Sequence, residues 1–168
     1  MVNKQFFILT LLILILVSCV SIQYIGYGFS LTKQNYNGDQ LKINGFYYNE
    51  YYKEHYRIVF LYSNGILINY SAGYAYNDIV NSDSLVFELD YKKAPIYYYG
   101  LFQIKQNKVI IENWGAGVEN QSYLREGKIL NDTTFILYNK DGNLILQDEI
   151  YHFKQYSPKP DSTNKYIK

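Results

Sequence analysis

The sequence predicts a mainly β domain, a single antiparallel meander of about eight strands that closes to a barrel or a strongly bent sheet. Aromatic side chains are abundant, with 21 Tyr and 9 Phe in 168 residues, and such rings fit the pleated surface of a sheet. Short apolar stretches alternate with polar residues, as strands with one buried face do. Turn residues separate the stretches at hairpin spacing, and a chain of hairpins loses its exposed edges when it closes.

The first half of the meander contains the clearest predicted hairpin. Residues 41–47 alternate between apolar and polar and predict the first strand. Residues 57–62 and 66–70 are apolar runs that flank Ser63-Asn64-Gly65. An Asn-Gly pair between two such runs is a strong hairpin signal, because both residues of this turn must take positive φ.

The segment between the two halves has two interpretations. Asn77 is a suitable N-cap, so that one short helix is predicted over residues 77–84. Alternatively, the alternation of Leu85, Phe87 and Leu89 favours an extended stretch.

The second half predicts further hairpins. One joins residues 97–105 to 108–113, and another joins 123–130 to 133–139. After a turn at Asp141-Gly142, the last strand is predicted over 144–156. In that strand the alternation places Ile150, His152 and Lys154 on one face. Tyr151 and Phe153 lie on the other.

The N-terminus has the layout of an export signal. Lys4 precedes an apolar run over residues 6–17 that only Thr10 interrupts. The run is shorter than the roughly 20 apolar residues that a spanning helix needs, so a simple anchor helix is the alternative interpretation. Leu16-Val17-Ser18-Cys19 follows directly. This segment resembles the lipobox of bacterial lipoproteins.

The lipobox resemblance implies where the protein resides. It implies cleavage before Cys19 and acylation of that cysteine with diacylglycerol and a further chain such as palmitate. Two or three acyl chains hold a protein at a membrane far more firmly than one. No Asp directly follows Cys19, which by the same resemblance implies the periplasmic leaflet of the outer membrane.

The resulting organisation has four parts. Residues 1–18 are predicted as signal peptide, 19–40 as a lipid-anchored tether, 41–156 as the β domain and 157–168 as an extended tail. The chain has 16 Lys+Arg against 15 Asp+Glu. Because Lys4 lies in the signal peptide, the mature protein is formally neutral. It lacks the basic field that nucleic-acid binding requires.

Three segments carry a second resemblance. Gly45-Phe46-Tyr47, Leu61-Tyr62-Ser63-Asn64-Gly65 and Gly100-Leu101-Phe102-Gln103-Ile104 with its following hairpin resemble small bacterial lipocalin-like domains. The resemblance covers about residues 41–156 and implies a barrel that binds a small molecule. Tyr47 stands where lipocalins usually carry Trp, and residues 157–168 lack their terminal helix pattern.

The motifs of common enzymes are absent from the sequence. Glu50, Glu54 and His55 crowd the segment 49–56, which we interpret as a charged connection between strands because ordered metal-ligand spacing is missing. His152 is interpreted as an ordinary strand residue. There is no Gly-x-Ser-x-Gly elbow. The acids that exist as candidates for glycoside cleavage are Glu112, Glu119, Glu126, Asp148 and Glu149.

Aromatic clusters provide the remaining candidate site. Tyr97, Tyr98, Tyr99 and Trp114 are predicted to line a cavity or an exposed platform, because Tyr combines an apolar ring with a hydroxyl that can stay hydrated. The alternative is that they only pack the fold. We therefore expect a non-enzymatic lipoprotein, without cofactor or metal, that binds a small apolar or amphiphilic molecule or a glycan. The alternatives are a structural protein that docks on another envelope protein and, third, an unrecognised hydrolase.

Overall fold

The computed structural model describes residues 28–75, 77, 79, 87, 90, 93–115, 121–138 and 148–168. Eight antiparallel strands form a closed barrel in which each strand pairs with the next and the last pairs with the first. The predicted meander that closes to a barrel is confirmed. The strands are β1 Gly45–Tyr52, β2 His55–Leu61, β3 Ile66–Ala75, β4 Tyr99–Lys105, β5 Lys108–Trp114, β6 Ser122–Asn131, β7 Thr134–Leu137 and β8 Glu149–Gln155.

The predicted Asn-Gly hairpin joins β2 to β3. Of the two turn residues only Gly65 has a positive φ, +79°, a left-handed conformation in which glycine has no Cβ to clash. The positive φ expected at Asn64 is not found. The Gly65 N–H donates to the carbonyl of Tyr62 at 3.0 Å, and the Asn64 side chain accepts the N–H of Ile66 at 3.1 Å. The turn residues thus satisfy the backbone groups that the strands leave unpaired.

The first strand differs from its prediction over residues 41–47. It begins at Gly45 and continues to Tyr52, so most of the predicted connection 49–56 belongs to β1 and β2. The turn itself is only Lys53 and Glu54, with Glu54 at φ +63°. The apolar–polar alternation fails here because polar and charged side chains face the interior at this end of the barrel, while Tyr48 and Tyr56 pack on the outside.

Other element bounds also shift. The strand predicted from residue 97 starts with a 3-10 helix over Ile96–Tyr98. The strands predicted over 133–139 and 144–156 are shorter, and residues 139–147 lie outside the described part of the chain. Of the predicted helix 77–84, Asn77 and Ile79 have helical backbone. The rest lies outside the described residues, so the helix stays a prediction.

The barrel interior, here called the lumen, contains a tightly packed aromatic core. Phe135 stacks on Tyr151 at 4.9 Å between ring centroids, and Tyr47 packs on Phe135 at 5.0 Å. As predicted for the last strand, Tyr151 is buried while His152 is exposed. The buried members of this core are Tyr36, Leu41, Tyr47, Val59, Leu61, Leu67, Phe102, Val109, Ile111, Phe135, Leu137 and Tyr151.

One end of the lumen is covered by residues that precede β1. Tyr36 and Leu41 are buried in the lumen core, and the Leu41 N–H donates to the Tyr36 hydroxyl at 2.7 Å. The Lys42 N–H donates to the Asp132 carbonyl, and Tyr36 N–H donates to Ser63. We call this the capped end. The part of the predicted tether that the structure describes, residues 28–40, therefore lies against the barrel.

Glu112 holds an earlier part of the same N-terminal segment, at Ser30 and Leu31, against the barrel. The residue is only 1% exposed, and its carboxylate accepts hydrogen bonds from Ser30 and from the Leu31 N–H at 2.7 to 3.0 Å. Ser122 donates a further hydrogen bond at 2.6 Å. Burial works against the charged carboxylate, but these donors outweigh it and lower the pKa of Glu112.

A second hydrophobic layer covers the outer faces of β1 to β4. We call it the outer cluster, and its buried members are Phe46, Ile58, Phe60, Ile66, Ile68, Tyr70, Ile79, Phe87, Ala94, Tyr99, Leu101 and Ile167. The tail 157–168 has no regular secondary structure, but it docks here through Ile167. The Tyr62 hydroxyl donates to Pro160 at 2.6 Å, and Lys159 Nζ donates to the carbonyls of Ile43 and Leu61. Burial lowers the pKa of Lys159 to about 8.

Within the described residues, no helix has both the length and the apolar character that a membrane crossing requires.

Candidate functional site

A cavity lies in the lumen at the end opposite the capped end. Its volume is about 170 Å³, and it is partly open to solvent. The β1–β2 turn lies at this end, which we call the polar end. The residues that line the cavity are Tyr51, Arg57, Val59, Leu67, Asn69, Ile111, Asn113, Tyr123, Arg125, Leu137 and Tyr151.

Strand alternation explains why charged side chains enter the lumen. Arg57 lies two residues before Val59 on β2, and Val59 belongs to the lumen core. Glu149 lies two residues before Tyr151 on β8. Residues two apart on a strand share a face, so both charged side chains point inward near the ends of their strands. Arg125, on β6, lines the same cavity.

These three residues form one ion-pair cluster across the barrel mouth. Arg57 Nη1 lies 2.8 Å from Glu149 Oε1, and Arg125 Nη1 lies 2.7 Å from Glu149 Oε2. The Tyr151 hydroxyl also donates to Glu149 Oε2, at 2.8 Å. The side chains of Arg57, Arg125 and Glu149 are 31%, 19% and 13% exposed. The cluster is therefore largely removed from water.

The charges of the cluster do not cancel. Two guanidinium groups face one carboxylate, which leaves a net charge of +1. Burial disfavours the charged form of Arg125, but the charge and hydrogen bond of Glu149 outweigh it and raise the pKa of Arg125. Burial, together with the Glu149 charge, raises the pKa of the Tyr151 hydroxyl. Tyr151 therefore remains a neutral hydrogen-bond donor.

Two amide side chains in the cavity have unused hydrogen-bonding capacity. Asn69 and Asn113 line it from β3 and β5. Among the described residues, the side-chain Oδ1 of each is buried and lacks a hydrogen-bond partner. Buried polar groups are nearly always paired with protein or water. These two buried oxygens thus keep unused acceptor capacity in the wall of the cavity.

Tyrosine rings complete the rim of the cavity. The Arg57 guanidinium lies 4.6 Å from the centroid of the Tyr51 ring, within cation–π range. Tyr123 approaches from β6 and is 46% exposed. Burial of its hydroxyl raises the pKa of Tyr123, although Arg125 and Arg57 act in the opposite direction. The rim therefore offers hydroxyl groups and flat ring faces beside the cations.

The aromatic residues singled out in the sequence lie elsewhere. Tyr99 and Trp114 neighbour each other, since Gly100 pairs with Asn113 in the β4–β5 ladder. Tyr99 is fully buried in the outer cluster, and Tyr98 packs against that cluster. The Tyr97 and Tyr98 ring centroids lie 4.9 Å apart. None of these four residues lines the lumen cavity, and their binding role stays a prediction.

The two histidines and the acids of the segment 49–56 lie on the surface, and Glu119 lies outside the described residues. His55 and Glu54 are exposed at the β1–β2 turn, where Glu50 accepts the Glu54 N–H at 2.9 Å. His152 is exposed on the outer face of β8. Among the residues that the structure describes, no group of His, Cys, Asp and Glu side chains is arranged to hold a metal ion.

Sequence reasoning missed the arginines. Arg57 and Arg125 are the only two in the chain, and both line the cavity. The available signal was a charged residue on the face that the strand otherwise fills with apolar side chains. Glu149 was one of five candidate acids, and nothing in the local sequence separated it from Asp148 beside it.

Comparison with known protein families, with curated proteins and with solved structures finds no match in any of the three.

Proposed function

We propose that this chain is a lipid-anchored, non-enzymatic binding protein of the bacterial cell envelope, whose barrel holds a small molecule at its polar end. The observation that carries the proposal is the cavity lined by both arginines of the chain. Apolar residues of similar volume are often as stabilising as a buried ion pair. Charged side chains in a barrel interior are therefore better explained by a ligand than by folding.

The contacts of Glu149 favour binding over catalysis. Three donors, from Arg57, Arg125 and Tyr151, engage its two oxygen atoms. A carboxylate held in this way is a fixed counter-ion, whereas a general acid or base has to exchange its proton with a substrate. Neither His55 nor His152 lines the cavity. This supports a binding site over the third expectation, a hydrolase.

The path of the chain supports a position close to a membrane. The lipobox resemblance implies acylation of Cys19, and the described structure starts at Gly28. The chain between these residues spans at most about 30 Å even when fully extended. The barrel would stand just above the bilayer, in our proposal on the periplasmic side of the outer membrane.

Native mass spectrometry tests the binding function. The full chain is purified from its original cells in detergent, and its mass is compared before and after denaturation. We expect an extra mass that denaturation removes, and we expect Arg125→Gln to lose it. A chain that carries no such mass, and whose cell extract yields no molecule that binds it, would contradict the proposal.

The anchor is tested separately. Cys19→Ser should yield a longer, unprocessed chain that takes up no acyl label. Electrophoretic mobility and incorporation of labelled palmitate measure both properties. If the variant is cut and acylated like the parent, Cys19 is not the site of lipidation.

An interaction role is the second candidate function. Leu124, Leu130 and Ile150 are 50%, 49% and 43% exposed on β6 and β8. Exposed apolar side chains on neighbouring parts of a barrel surface can contribute to a contact with another protein. Crosslinking in intact cells, with Leu124→Ser as the comparison, would detect a partner that depends on this face.

A further inference from the structure

We propose that the ligand of the lumen cavity is a small hydroxylated carboxylic acid. Its carboxylate is bound by the N–H groups of Arg57 and Arg125 that Glu149 leaves unused. This inference rests on the proposed binding function and names the ligand class.

The charge of the cluster defines the head group. Arg57 and Arg125 share one carboxylate, so the described lining of the cavity keeps a charge of +1 in a partly dehydrated place. Buried charge is costly unless it is paired. One carboxylate neutralises the cluster, whereas a phosphate dianion reverses its sign. A neutral molecule leaves the excess charge unpaired.

The geometry of the donors fits the same group. Each guanidinium donates one hydrogen bond to Glu149 through Nη1, and these are the hydrogen bonds found for Arg57 and Arg125 among the described residues. A guanidinium presents a planar fork of N–H groups that matches a carboxylate. The remaining N–H groups of the two arginines are thus suited to a second carboxylate beside Glu149.

The other lining groups select hydroxyl groups on the ligand. The oxygens of Asn69 and Asn113 lie buried in the cavity wall without a donor, and an alcohol O–H would satisfy either amide once its side chain turns toward the cavity. Tyr51 and Tyr123 add hydroxyl groups and ring faces at the rim. A purely apolar acid would leave both amides unsatisfied, which costs about 1–3 kcal/mol for each buried group.

The volume limits the size of the enclosed part. A cavity of about 150 Å³ can hold a molecule as large as benzene, and this one has about 170 Å³. An acid of glycerate size fits inside. A uronic acid, free or at the end of a glycan, would place its carboxylate inside and part of its ring between the rim tyrosines.

Matched pairs of acids and neutral molecules test the inference. Glycerate is compared with glycerol and glucuronate with glucose, and inorganic phosphate is the third anion. Binding to the full chain is measured by isothermal titration calorimetry, in a detergent without sugar or carboxylate groups. We expect at least one acid to bind tenfold or more tightly than its neutral counterpart and more tightly than phosphate. Glycerate as the better acid indicates a free small acid, and glucuronate indicates a sugar acid.

Variants connect the binding to the two arginines. Arg57→Gln and Arg125→Gln should each weaken binding of the preferred acid at least tenfold. Lys105→Gln makes the same charge change at an exposed position at the end of β4, and it should bind like the parent. Circular dichroism confirms the fold of each variant. If an arginine variant fails to fold, the comparison of each acid with its neutral counterpart on the parent chain still tests the ligand class.

Three results would overturn the inference. These are a lack of preference for the acid over its neutral counterpart in both pairs, tighter binding of phosphate than of either acid, and no binding of either acid. If native mass spectrometry nevertheless finds a retained molecule that is not an acid, the binding function stands and only this ligand class fails. If no molecule is retained and no probe binds, both fail.

Discussion

Glu149 is the residue on which the charge balance of the lumen depends. It is the sole carboxylate in contact with either arginine among the described residues. Its two oxygens join β2, β6 and β8, which are not neighbours in the barrel. Loss of its charge would leave two guanidinium groups close together with little water to screen them.

Glu149→Gln should therefore lower the free energy of unfolding by about 2–3 kcal/mol. Asp132→Asn is the matched control, because the Lys42–Asp132 pair is 46% and 51% exposed. An exposed pair of this kind contributes about 0.5 kcal/mol or less. Urea unfolding at pH 7 measures both. If both variants lose the same free energy of unfolding, the buried cluster contributes no more to stability than an exposed ion pair does.

Glu112 is the second residue with a distinct energetic role. Its carboxylate holds Ser30 and Leu31 against the barrel, and its pKa is lowered in the folded protein. A group whose pKa is lower when folded stabilises the protein above its unfolded pKa. That contribution is lost as the pH falls through the folded pKa.

The parent should lose stability below about pH 4.5 more steeply than Glu112→Gln does. At pH 7 the variant should be less stable by about 1–3 kcal/mol, because the buried donors lose a charged acceptor. Urea unfolding over a pH series measures this. Glu54→Gln, at an exposed position, is the control, and its free energy of unfolding should vary with pH as that of the parent does. Parallel curves for Glu112→Gln and the parent would contradict the assigned role.

At the scale of elements, the C-terminal tail completes the outer cluster. Tyr166 packs against the cluster and Ile167 is buried in it. The Tyr166 hydroxyl donates to Ala94 at 3.1 Å, and Asn64 donates to Ser162 at 3.1 Å. These contacts lie 72 and 98 residues apart in the chain. The tail is thus part of the folded domain and not an appendage.

Deletion of residues 157–168 should lower the free energy of unfolding by about 3 kcal/mol or more, since several apolar side chains lose their cover. Deletion of Lys168 alone is the control, because this residue is exposed. Thermal and urea unfolding measure the effect. If the shorter chain is as stable as the parent, the contacts of the tail do not contribute to the stability of the barrel.

At the scale of the whole molecule, the seam between β8 and β1 closes the barrel. Gly45 pairs with Gln155 and Tyr47 with Phe153. A Cβ added at Gly45 would overlap the backbone carbonyl of Lys154. Glycine at this position lets the two strands approach closely enough to pair.

Gly45→Ala should therefore weaken the seam and destabilise the protein by about 2 kcal/mol or more. Gly115→Ala is the control, because its added Cβ would lie 3.2 Å from its nearest neighbour, the Gln121 carbonyl. The free energy of unfolding of Gly115→Ala should fall by about 1 kcal/mol or less. Hydrogen exchange of the β1 and β8 amides locates the effect. A uniform change over all strands would argue against a local seam defect.

Sequence patterns alone were enough to predict the fold class and most of the strands. Alternation and turn chemistry act between near neighbours in the chain, so the hairpin around Gly65 and the inward side of Tyr151 could be predicted. The same local rules failed at residues 49–56, because polar and charged side chains face the lumen there while tyrosines pack on the outside. They also gave no sign that residues 28–40 and 157–168 pack on the barrel.

Only the tertiary structure determined the candidate site. Arg57 lies 92 residues from Glu149, and Arg125 lies 24 residues from it. The three strands that carry them are not paired with one another, and their side chains meet because the barrel closes. Local patterns encode which face a side chain takes. Which faces then converge depends on the number and register of all eight strands, and no short stretch of sequence contains that information.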